Sequence, residues 1–287
     1  MSDMAAPFVV RPTVMRLRIG AIVAGLLLLF GFVSIVWTPY PASSFDIGAA
    51  LQGPSAAHWL GADQLGRDLL SSIMRGTLTS FIVSAVALAI GAIIGLPLGF
   101  AAARWDGPAD RAIVGAGDFV LLFPALILAM LLGASIGPNF GNVMLAMGVV
   151  NIAVFMRVTR AALRAITPLD YVAAARLAGT GEIEIVRRHV LPELLPLIGA
   201  AALAQLAAGV LAEASLSFVG LGAQPPATSL GLILRDGQSY AQQAPVLLLA
   251  PGMVLIAIVV ALNTASGGWR ERVAPLLRRI GATDGAA

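Results

Sequence analysis

Long apolar stretches near positions 19–37, 79–103, 112–135, 142–163, 194–219 and 246–266 constrain this chain more than any other feature. A helix needs about 20 such residues to cross the roughly 30 Å of hydrocarbon in a bilayer, and the stretches are of that order. The reading is an all-α integral membrane protein with six transmembrane helices. Composition agrees: 59% of the 287 residues are hydrophobic and 11% charged, which excludes an ordinary soluble domain. The first stretch, IGAIVAGLLLLFGFVSIVW, follows Arg11, Arg16 and Arg18 as a signal peptide would. It is too long for a signal core and no small-residue cleavage site follows, so a retained helix is expected.

All 18 basic residues are arginine. Without lysine there is no Walker A loop, so any ATP that drives this protein is expected to bind another chain. The absence of cysteine excludes disulfides, thiolate metal sites and CxxC redox chemistry.

With the N-terminus cytoplasmic, fifteen arginines fall inside, at 11, 16, 18, 104, 111, 157, 160, 164, 176, 187, 188, 270, 272, 278 and 279, and three outside, at 67, 75 and 235. This positive-inside bias predicts cytoplasmic tails at 1–18 and 267–287 and external segments at 38–76 and 220–245. In the first external segment, HWLGADQLGRDLLSSIMRG places Leu65, Leu69, Leu70 and Ile73 at the spacing of a short helix on the membrane surface; a solvated loop is the alternative.

One cytoplasmic segment, 167–192, interrupts the apolar pattern with TPLDYVAAARLAGTGEIEIVRRHVLP. Thr167-Pro168-Leu169-Asp170 offers a capping hydroxyl, a proline at the first helical position and a carboxylate three residues after the cap. The helix it opens should end at Gly179 in the left-handed conformation. A second helix from Thr180 carries Glu182 and Glu184 first and Arg187 and Arg188 last, complementing the helix dipole, before Pro192 opens the next span. Such an elbow is either a connector on the bilayer surface or a lever that another protein grips. As a lever, small alanines admit a partner, and Tyr171 and Leu177 anchor it.

In the second span Ala87, Gly91, Gly95, Gly99 and Ala103 recur every four residues, a ladder for close helix packing, with Pro97 expected to kink it. In the fifth, Gln205, Gly209, Glu213 and Ser217 share one broad face. An intramembrane carboxylate such as Glu213 marks either a pathway or a buried hydrogen-bonding group. Asp118 in the third span poses the same choice, with Arg111, Arg157 and Arg160 as conceivable partners. His58 and His189 fall on opposite sides of the membrane and cannot share a metal. No HExxH or GxSxG is present, so neither a metal site nor a catalytic residue is expected.

The spacing Ala173-Ala174-Ala175, three residues, Gly179, nine residues, His189-Val190-Leu191-Pro192 resembles the EAA motif of ABC importer permeases. HWLGADQLGRD at 58–68, GDFVLLFPALILA at 117–129, MRVTRAALRAITPLDYVAAARLAG at 156–179 and LAEASLSFVGLGAQPP at 211–226 are similar to the dipeptide/oligopeptide/nickel permease family, specifically its C-type subunit. The resemblance covers about residues 55–275. It implies a type I importer permease fold, with 77–266 as its transmembrane domain, in the cell inner membrane.

The resemblance also implies partners: a second homologous permease, two cytoplasmic ATPase subunits that hold ATP and Mg, and an external binding protein that delivers substrate. No cofactor on this chain and no nucleic acid is implied. Ala174, Ala175 and Gly179 map to the ATPase contact, with Tyr171, Ala173, Arg176, Leu191 and Pro192 in the same segment. Two positions depart from the pattern: Ala173 stands where the motif has glutamate and His189 where it has isoleucine, so a charge contact made by that glutamate is missing or replaced. Peptides are the default substrate. The alternative is a secondary transporter that carries protons on Asp118 and Glu213.

Overall fold

A computed structural model describes residues 12–41, 44–105 and 107–281. Arg11 and the rest of the terminal stretches 1–11 and 282–287 lie outside the described residues, as do the side chains of Arg272, Arg278 and Arg279. Helices dominate: α1 (Pro12–Val36), α2 (Leu69–Arg104), α3 (Pro108–Leu122), α4 (Ala125–Ile136), α5 (Phe140–Ile166), α6 (Asp170–Leu177), α7 (Glu182–Ile185), α8 (Leu191–Val219), α9 (Leu230–Gln238) and α10 (Val246–Gly281). Five helices are long and apolar enough to cross a membrane; a sixth crossing is supplied if the bent pair α3 and α4 counts as one span.

That pair occupies the stretch expected to form a span near 112–135, and it is broken in the middle. The chain turns by 82° between α3 and α4. Pro124 has no amide hydrogen to continue the ladder, and its ring forces Phe123 into an extended conformation (φ −91°, ψ 121°).

The second span differs in the other direction. It begins ten residues before the expected 79, because Asp68 caps α2 by accepting from the Ser71 amide at 2.8 Å. The apolar residues assigned above to a surface helix belong instead to this helix or to the loop before it. Leu69 and Ile73 are buried in the bundle and Leu65 is exposed. The helix continues unbroken through Pro97.

The glycine ladder is the seam between α2 and α5. A β-carbon on Gly95 would lie 2.5 Å from the Ile152 carbonyl oxygen, and one on Gly99 2.5 Å from that of Met156, while Gly91 abuts Asn151. The backbones touch because there is no side chain to separate them. On the far flank α1 closes against α10, where Gly20 meets the backbone of Ala261 and Ala265.

Where α2 begins and α8 ends, residues 46–68 form a folded knot instead of a solvated loop. Ala62 donates to Gln52, Leu51 to Asp63 and Leu69 to Gly61. Gly66 holds φ +72° where any β-carbon would collide with the Asp46 carbonyl, so no other residue fits there.

Candidate functional site

The elbow lies at the end of the bundle where α2 and α5 finish and α8 begins. Its cap differs from the sequence expectation. Thr167 bonds back to the Leu163 carbonyl at 2.7 Å as the C-cap of α5, and α6 starts at Asp170 with Leu169 at the cap position. The hydroxyl closes the helix behind it, and the residue at the cap position of α6, Leu169, has no side-chain oxygen to accept from the first amides.

At the other end of α6, Gly179 takes φ +79° and the Thr180 amide donates to the Ala175 carbonyl at 3.1 Å, the paired geometry of a Schellman motif. The following helix does not stop at Pro192. It runs from Glu182 through a π turn at Val186–Val190 directly into α8. Shifting the ladder by one residue accommodates Pro192, which has no amide hydrogen to donate.

The elbow is fixed from beneath. Val172, Ile185 and Val190 are buried against Leu163, Ile166 and Leu194. Arg176 bridges the two arms through Glu182 at 2.8 Å, and Tyr171 donates its hydroxyl to Glu193 at 2.6 Å. Burial and the adjacent carboxylate push the Tyr171 phenol well above its ordinary range, so it stays a donor. The ring of His189 lies 6.0 Å from that of Tyr171.

The outer surface is different. Ala173, Ala174 and Gly179 are exposed and Ala175 is half-buried. Leu177 and Ile183 stand 90% and 87% exposed on either side of the bend. Leu191 and Pro192 are also exposed, on the first turn of α8. Two apolar side chains thus stand nearly free of contacts on a base that is packed into the bundle.

The intramembrane polar residues fall into separate groups. Gln205 donates to Asn151 at 2.9 Å, joining α8 to α5. Glu213 is fully buried and accepts from Ser80 of α2 and from Ser217, each at 2.6 Å. Ser217 in turn accepts from the Ala223 amide at 3.2 Å. The face that carries Gln205, Gly209, Glu213 and Ser217 thus points into the bundle.

Asp118 is elsewhere. It is half-exposed on α3 and accepts from Nε of Arg157 at 3.0 Å. Arg160 and Arg164, by contrast, bond to Asp110, at 2.6 and 2.9 Å. Sequence reasoning did not single out Ser80 or Asn151. Ser80 and Ser84 are four residues apart, but the step from Ser84 to Ala87 is three, so they fall outside the register of the ladder.

It also missed the order in the knot. His58 lies 3.0 Å from Asp68, with the Tyr40 ring 4.5 Å away. Asp63 accepts from the amides of Leu65 and Arg67 and from Nε of Arg67, the last at 2.6 Å, and Arg67 reaches Asp236 of α9 at 3.8 Å. Burial raises the Asp236 carboxyl above its ordinary value despite Arg67 and Arg235. A raised acid stabilises the fold below its unfolded pKa and loses that contribution as pH climbs through the folded one. At neutral pH the fold disfavours the ionised form, so Asp236→Asn should hold or raise the thermal midpoint of the purified protein. Asp63→Ala should lower stability by about 3 kcal/mol, because two amides and a guanidinium lose their acceptor. Equal losses in the two melts would contradict this account of the knot.

Comparisons with known proteins agree with this architecture. Residues 95–279 match the family model described as "Binding-protein-dependent transport system inner membrane component". The chain is 34% identical to a glutathione transport system permease protein of Pectobacterium atrosepticum, over 90% of this chain and 87% of that one. It is 32% identical to a probable D,D-dipeptide transport system permease protein of Escherichia coli, over 89% and 86% of the two chains. A nickel transport system permease protein of Escherichia coli shows 29% identity over 91% and 94%. An inward-facing structure of the MetNI methionine ABC transporter shares the fold, with a TM-score of 0.56 and 21% identity over 73% of this chain and 96% of that chain. The chain belongs to the family of binding-protein-dependent transport system inner membrane components, and it is a permease component of an ABC importer.

Proposed function

We propose that this chain is one half of the transmembrane pathway of an ATP-driven importer of dipeptides or oligopeptides, and that segment 167–192 is where ATPase subunits grip it. The observation that carries this reading is the elbow: Leu177 and Ile183 project from a bend whose other face is locked into the bundle. A push on those two side chains passes through Val172 and Ile185 into α5 and α8. The bias of fifteen arginines against three supports an orientation with the elbow and both termini in the cytoplasm.

ATP and Mg sit on the ATPases. Their closure draws the elbows together and opens the paired bundles toward an external binding protein, and hydrolysis reverses the movement. A second, homologous permease covers the apolar face of α3 and α4, where Phe119, Leu122 and Leu131 are 61%, 75% and 65% exposed. The peptide assignment rests on relatives named for glutathione and D,D-dipeptide transport. Nothing favours proton carriage: Asp118 is held by Arg157, and Glu213 is enclosed by hydroxyls.

Gly179→Val tests the elbow. Open space surrounds the position, so the cost is the left-handed backbone alone, about 1–2 kcal/mol. In proteoliposomes of the assembled importer the variant should insert normally and hydrolyse ATP while uptake falls. Uptake at the unsubstituted rate would remove the elbow from the mechanism.

A further inference from the structure

We propose that a groove between α2 and α8 holds an anionic phospholipid, with its phosphate on Arg104 and one acyl chain running toward the middle of the membrane. The groove is a cavity of about 550 Å³ lined by Leu96, Pro97 and Phe100 of α2 and Leu191, Leu195 and Ile198 of α8, with almost no polar surface. It opens outward, since Leu195 is 55% exposed. Both walls belong to spans, so the medium that fills it is hydrocarbon and not water.

Arg104 decides which lipid. It is the last residue of α2, and it lines both this groove and an adjoining, more polar cavity of about 340 Å³ beneath the elbow. In that second cavity Arg176 is already paired with Glu182. Among the described residues, the Arg104 guanidinium has no hydrogen bond or ion pair of its own; it adds, after Arg176, to the charge that holds the Glu182 carboxyl below its ordinary value. One cation thus stands where an apolar slot meets a polar chamber, the arrangement an anionic headgroup and its tail would match.

Two further features fit the same occupant. Trp105, 59% exposed at the rim of the groove, is the residue type that settles at headgroup level. Thr159 lines the floor, and its buried Oγ1 has no partner among the described residues. Thr159 packs against Gly99, five residues below Arg104, or about 7 Å along the helix, the depth at which an ester carbonyl could accept from it. The headgroup would then touch Arg176 and Glu182, so the lipid would bear directly on the elbow.

Lipid retention itself does not depend on the proposed role of the elbow; only its effect on coupling does. The test is native mass spectrometry of the intact importer from nanodiscs of equal phosphatidylglycerol and phosphatidylcholine. Phosphatidylglycerol should be retained in preference. Arg104→Gln should cut its retention about fivefold, and Arg104→Lys should restore most of it. Ala101→Trp, which fills the groove from α2, should expel lipid without touching the charge. Equal retention of the two lipids, no change in both Arg104→Gln and Ala101→Trp, or cross-links placing the second permease in the groove would each overturn the proposal. Lost uptake with lipid retention intact would count against the coupling role alone.

Discussion

Leu177→Asp combined with Ile183→Asp should abolish uptake by the assembled importer while the chain still folds and inserts. Both side chains are almost wholly exposed in the isolated chain, so charging them disturbs no internal contact. In a partner's cleft, each would bury about 1.5–3 kcal/mol of apolar surface. Losing both, and desolvating two carboxylates instead, should weaken association with the ATPase subunits on the order of a hundredfold or more. Co-purification of the ATPases measures this. The double variant should leave them behind, and Leu177→Ala should retain part of the interaction.

Gly95→Leu should be the most damaging single substitution in the bundle. The obstacle to its β-carbon is not a flexible side chain but the Ile152 carbonyl oxygen at 2.5 Å and the Phe155 β-carbon at 2.9 Å. The helices must separate, which breaks the seam along Gly91 and Gly99 as well. Overpacking typically costs about 1–3 kcal/mol, and a backbone clash places this case at or beyond the upper end. Gly115→Ala is the control: it also lies in a helix, but its β-carbon meets nothing within 4 Å. The thermal midpoint in detergent should fall sharply for the first and hold for the second. Similar midpoints would mean that α2 and α5 are not as close as described.

The spans and the ladder were legible because their signals are local and repetitive: a run of apolar residues and a glycine every fourth position. Gly179 was legible for a similar reason, since few residues adopt its backbone conformation. The break at Pro124 was not, although the proline was in plain view, because a proline in a span can kink a helix or end it. Thr167 misled for a related reason. Its hydroxyl has two possible acceptor and donor sets one turn apart, and the choice between them is made by where α5 ends.

The site was legible as a segment and not as a surface. Sequence located the alanines and the bend but could not tell Val172 and Ile185, which anchor the elbow, from Leu177 and Ile183, which project from it. That division depends on how α6 and α7 lie on the end of the bundle. The partners of Glu213 and Asp63 were hidden likewise, because Ser80 and the Leu65 and Arg67 amides are acceptable in many environments until the fold sets them against a carboxylate.

An elbow that couples ATP hydrolysis to uptake must face the cytoplasm and touch an ATPase. The chain has no cysteine, so Leu177→Cys provides a single thiol without further engineering. In right-side-out vesicles an impermeant maleimide should leave that thiol unlabelled until the membrane is opened, and a bifunctional reagent should join it to an ATPase subunit. Labelling from the outside of sealed vesicles, or an assembly whose ATPases never cross-link to position 177, would contradict the account.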